Sequence, residues 1–169
     1  KSLNRRPIKV FFDFDNNDFQ FAITKRNQKT IYEKTPSAGF RDLLLKNCTD
    51  IIERVDSPLN ANVIVYSRAS TSPHIKHIIE ATKRRVGLVV YGIVPDAELL
   101  PLLPAEIDVK TIKELAVRKT IKQSDLPLFN GEKFNDVDFG CYIDLHPRDG
   151  TRNVLSYSDG KPFAVENNK

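Results

Sequence analysis

VFFDFDNN, residues 10–17, is the stretch on which the fold turns. With Ile8 and Lys9 before it, it makes the apolar run IKVFFDF over Ile8–Phe14, closing in acids. A run of this kind reads as a central strand buried on both faces. Alternation along an extended chain sends Asp13 and Asp15 to the same side, with Phe14 between them. Carboxylates at the end of a buried strand are costly unless a metal or a partner charge compensates them.

Downstream, residues 19–24 and 30–33 flank the polar KRNQK and read as a hairpin. Pro36 and Ser37 open a predicted helix in which Phe40, Leu43, Leu44, Ile51, Ile52 and Val55 keep the helical period, and Ser57-Pro58 breaks it. Residues 63–66, VIVY, read as a second buried strand ending at Ser67. Ser72-Pro73 starts the next helix, with Ile75, Ile78, Ile79 and Thr82 on one face, and residues 86–91, VGLVVY, read as a third buried strand. Pro95-Asp96 opens a short helical turn, 107–109 is strand-like, and the basic stretch 110–122 leans to helix. Residues 139–143, FGCYI, form a further strand ending at Asp144, and Asp159-Gly160 marks a tail hairpin.

Strands alternating with helices predict an α/β fold: a three-layer sandwich with a mainly parallel central sheet, helices on both faces and a β-hairpin flap after the first strand. With no repeat and no linker, residues 1–169 read as a single domain without a separate cap domain. Ligand sites in such sheets lie beyond the carboxyl ends of the strands. The candidate ends bring forward Asp13 and Asp15, then Ser67, then Asp144 with Asp149. That set is rich in oxygen and suits a hard cation such as Mg²⁺, and a Lys from 110–122 would complete a phosphoryl site.

Composition sets wide bounds. The chain has 169 residues, Lys+Arg 26 against Asp+Glu 22, and 40% hydrophobic residues, which is globular and of one-domain size. No apolar run is long enough to span a bilayer. The net charge of +4 favours an anionic partner. Cys48 and Cys141 match no zinc or redox spacing and read as reduced thiols of an intracellular protein, cytoplasmic or nuclear. A start at Lys1 with no Met anywhere reads as a trimmed or processed product.

At this point the chain resembles the haloacid dehalogenase superfamily of phosphotransferases. The pieces are VFFDFDNN for the first motif, VIVYS for the second, VRKTIKQ for the third and YIDLHPRD for the fourth, in the family's order. TPSAGFRDLL and VIVYSRASTSPHI are similar to the small C-terminal-domain phosphatase branch. The resemblance implies a Mg²⁺-dependent phosphatase acting on a phosphomonoester of a macromolecule, a phosphoprotein or a nucleic-acid end. Asp13 would be the nucleophile that forms an aspartyl-phosphate, and Asp15 the acid/base. Ser67 would hold phosphoryl oxygens, Lys122 or Lys119 would neutralise them, and Asp144 with Asp149 would hold Mg²⁺ beside Asp13. The sequence departs from the pattern at Asn17 and in the wide spacing of Asp144 and Asp149.

Two other functions stand beside this one. FDFDN also resembles the Asp- and Asn-rich first turn of PIN-like NYN ribonucleases, although SRASTSPH after the second strand carries no acid. The third is a non-catalytic domain of this fold that binds protein or nucleic acid. The residues also have plainer accounts. DFDNND can cap a turn, Ser67 can cap the next helix, and Lys119 and Lys122 can belong to a solvated face. His74 and His77, three apart, read as surface residues, and the Phe cluster as packing rather than a base-stacking platform.

Overall fold

The computed structural model describes residues 6–15, 24–26, 29–31, 46, 51–68, 70–91, 94–119 and 139–167. The chain divides into two compact units, Lys1–Leu99 and Leu100–Lys169.

In the first unit β1 (Ile8–Phe14) lies between β4 (Ile52–Arg54) and β5 (Val63–Ser67), and β6 (Gly87–Val90) lies beyond β5. All three pairings are parallel, with Phe12 opposite Val65 and Asp13 opposite Tyr66. The pleat sorts the side chains into two sets. Val10, Phe12, Phe14 and Val65 form one buried cluster with Ile52 and Val63 against it. Phe11, Asp13, Ile64 and Tyr66 belong to the other face, where the Phe11 ring meets His74 edge-on at 5.3 Å. Burial of both faces is what the unbroken apolar run in β1 calls for.

A single α-helix has bounds among the described residues, α1 (Ile75–Lys83), which carries the chain from β5 to β6 and buries Ile78 and Ala81. The connection from β4 to β5 holds only a 3-10 turn, Pro58–Asn60. It is tied to β1 by Val55 N–H to the Val10 carbonyl at 3.0 Å and Asn62 N–H to the Lys9 carbonyl at 2.7 Å.

These facts correct the predicted three-layer sandwich. Among the described residues the fold is α/β with a four-stranded parallel sheet and one main helix, not helices packed on both faces. Among the described residues no antiparallel partner pairs with β1, and β2 (Thr24–Arg26) and β3 (Lys29–Ile31) pair with each other as a separate two-stranded sheet. Most of the helix expected from Ser37 lies outside the described residues, and its predicted end is strand β4. There Ile8 N–H reaches the Ile51 carbonyl at 2.7 Å, so the open ladder of β1 outweighs a helical spacing of Ile51, Ile52 and Val55.

The second unit is antiparallel. β7 (Ala105–Lys119) pairs with β8 (Phe139–Pro147), with irregular register between Asp108 and Ile112 and between Glu114 and Lys119. β9 (Thr151–Ser156) pairs with β10 (Pro162–Asn167). The helical leaning of 110–122 is therefore overturned over 110–119. Lys, Glu, Leu and Ala there favour helix, but Val109, Thr111, Ile112 and Val117 suit a strand, and β8 supplies the ladder. The tail hairpin turns at Gly160, whose φ of 84° is open to glycine at no steric cost.

Candidate functional site

Asp13 and Ser67 stand at the carboxyl ends of β1 and β5, and the strand order explains why a site forms there. In the order β4-β1-β5-β6 the chain goes to one side of β1 first and then to the other. An open parallel sheet has a crevice at such a switch point, outside the carboxyl ends of its strands. The crevice is a cleft of about 370 Å³ whose lining includes Asp13, Asp15, Arg54, Asp56, Arg68 and His74.

Asp13 is buried, with 2% of its side chain exposed, and both its oxygens are engaged. Arg68 Nη1 donates to Oδ1 at 3.0 Å, and the Ser72 hydroxyl donates to Oδ2 at 2.5 Å. Arg68 Nη2 also pairs with Asp15 Oδ1 at 3.1 Å, an oxygen that the Ser70 hydroxyl donates to as well. The guanidinium thus supplies the compensating charge that a strand-end acid pair requires.

A second layer holds Ser72. Its backbone N–H donates to Asp96 at 3.0 and 3.2 Å, and its hydroxyl oxygen accepts from the His74 N–H at 2.9 Å. Asp96, itself buried, also accepts from the Tyr66 hydroxyl at 2.6 Å. Burial, then the bond to Asp96 and the charges of Asp96 and Asp13, push the Tyr66 phenol well above its ordinary 10.0.

Of the residues chosen from sequence, Asp13 and Asp15 line the cleft at the end of β1, whereas Ser67 ends β5 opposite Phe14 in register, on the sheet face away from Asp13. Asp144 does not end a parallel strand. It lies inside β8 opposite Asp108, in the second unit, with Lys161 Nζ 3.5 Å from its Oδ1. Asp149 is exposed in the turn before Gly150, whose φ is 77°. Lys119 ends β7, and Lys122 and Asn17 lie outside the described residues.

Sequence reading missed Arg68, Ser70, Ser72, Tyr66, Asp96 and Asp56. A signal was available for Arg68: a cation directly after the second strand's end, across from an acid pair directly after the first. Asp96 was read as the opening of a helical turn, and its N-terminal Val94 and following Leu99 are indeed buried around it in sequence.

The donors present do not fit the Mg²⁺ site that the resemblance implies. Both oxygens of Asp13 and one of Asp15 already accept from Arg68, Ser70 and Ser72. Among the described residues no three His, Cys, Asp or Glu gather where they could hold a metal ion. No family model matches the chain, and neither a curated protein nor a solved structure does.

Proposed function

We propose that this chain is a non-catalytic binding domain for an anionic macromolecule, with nucleic acid as the partner its chemistry favours. The observation that carries the reading is that both oxygens of the buried Asp13 carboxylate accept from Arg68 and Ser72. A nucleophilic or general-base carboxylate needs an oxygen free to reach a reacting atom. Here each oxygen has a donor within 3.0 Å, one of them a guanidinium. The pair acts as a brace that fixes the loop after β5 against the end of β1.

Binding rests on different groups. Arg54 and His74 line the cleft, and neither side chain has a hydrogen-bond or ion-pair partner among the described residues. The excess of Lys+Arg 26 over Asp+Glu 22 and the pI near 9.0 supply long-range attraction to phosphates. The likeness of FDFDN to the first turn of NYN ribonucleases supports nucleic acid over phosphoprotein.

Fluorescence anisotropy with labelled single-stranded RNA tests the reading. Binding should weaken as salt rises, survive Asp13→Asn in a folded protein, and leave the RNA intact. RNA cleavage, or binding that ignores salt, would overturn it.

One observation favours a second reading, a phosphomonoester hydrolase with Asp13 as nucleophile and Asp15 as acid/base. Both acids line the cleft at the switch point of the sheet. Release of phosphate from an aryl phosphate by the intact protein, abolished by Asp13→Asn, would establish it in place of the first.

A further inference from the structure

The Arg68 guanidinium uses all three of its nitrogens, and every partner is an oxygen. Nη1 donates to Asp13 Oδ1 at 3.0 Å and to the Phe14 carbonyl at 2.9 Å. Nη2 lies 3.1 Å from Asp15 Oδ1 and donates to Ser70 Oγ at 3.3 Å, and Nε donates to the Ser70 carbonyl at 3.2 Å. Two carboxylates, two backbone carbonyls and a hydroxyl therefore surround one cation. That is the ligand chemistry of a hard divalent ion, which takes carboxylate and carbonyl oxygens in flexible arrangements. The arginine side chain is itself only 9% exposed.

We infer that Arg68 is the built-in cation of this site: it fills an all-oxygen cage and closes it to divalent metal. The disagreement between the Mg²⁺ implied by sequence resemblance and the donors found here then has a physical cause. The guanidinium holds this position through the five oxygens that surround it. A metal ion must displace it and leave its five donors to be satisfied elsewhere.

This inference rests on the closed site of the binding-domain reading, but it fails separately. Phosphate release by the wild-type protein in excess chelator would overturn that reading and leave this one standing. The test here is Mn²⁺ binding to the full chain, read by electron paramagnetic resonance of the free ion. Arg68→Gln removes the charge and should bind Mn²⁺ more tightly than wild type by on the order of tenfold or more. The double variant Arg68→Gln with Asp13→Asn should lose that gain.

Folding provides the second measurement. If Arg68→Gln is unfolded without metal, added Mn²⁺ should refold it, because the ion replaces the missing charge. Failure of Mn²⁺ either to bind the folded variant or to rescue the unfolded one overturns the inference. So does saturable Mn²⁺ binding to wild type that Asp13→Asn abolishes.

Discussion

Arg68 and Asp13 are buried partners, with side chains 9% and 2% exposed, so removing one strands the other. Arg68→Ala should cost about 3–5 kcal/mol of stability, the scale for an uncompensated buried charge. Arg68→Ala with Asp13→Asn together should cost less than Arg68→Ala alone. Urea unfolding of the three proteins checks the order, and a double variant no more stable than the single would refute it.

Tyr66 gives a pH signature at the same scale. Its phenol is raised above 10.0 in the folded chain, first by burial and then by Asp96. The unfolded chain therefore releases the proton first as pH rises. The contribution is complete below pH 10 and is lost progressively above it, at up to about 1.4 kcal/mol per pH unit. Between pH 10 and 11 wild type should lose about 1 kcal/mol more than Tyr66→Phe. Denaturant unfolding at the two pH values reads this directly, and parallel slopes for the two proteins would contradict it.

Among the elements, α1 ends in a Schellman motif without glycine. Val86 N–H bonds the Ala81 carbonyl at 3.1 Å and Arg85 N–H the Thr82 carbonyl at 3.0 Å, with Arg85 at φ 68°. A residue with a Cβ is strained in that left-handed position. Arg85→Gly should therefore stabilise the protein by about 0.5–1 kcal/mol, seen as a higher melting temperature. A lower one would refute the cap.

The elements also show where sequence was readable. IKVFFDF, VIVY and VGLVVY are short and apolar on both faces, and all three are parallel strands of one sheet, β1, β5 and β6, but β6, read as buried, alternates exposed with half-buried residues. Ser72-Pro73 stands just before α1, with the Ser72 hydroxyl oxygen accepting from the N–H of the N-cap residue His74. Residues 52–54 and 110–119 went the other way because their own preferences were helical or mixed. What decided them was a ladder offered by β1, 44 residues away in each register pair, and by β8, 20 to 42 residues away. Asp13 and Asp15 were legible as a charged strand end in want of a cation. That the cation is Arg68 was not, because the guanidinium reaches Asp13 from 55 residues further along the chain, through the turn after β5.

At the scale of the molecule, the parallel sheet belongs to residues 1–99 and the antiparallel pairs β7–β8 and β9–β10 to residues 100–169. Asp144, within β8, and Asp149, in the turn after it, therefore end no strand of the parallel sheet. The surplus of positive charge predicts RNA affinity that falls linearly with salt on logarithmic axes. Arg54→Ala should lower the slope by about one phosphate's worth if that cleft residue contacts the backbone. An unchanged slope would remove Arg54 from the binding surface.

The central claim is that Asp13 braces the fold instead of performing chemistry. The most direct measurement incubates wild type and Asp13→Asn, each shown to be folded, with an aryl phosphate and with single-stranded RNA in the presence of Mg²⁺. The account predicts no phosphate release and no cleavage by either protein, with salt-dependent RNA binding by both. Turnover by wild type that Asp13→Asn abolishes would contradict it.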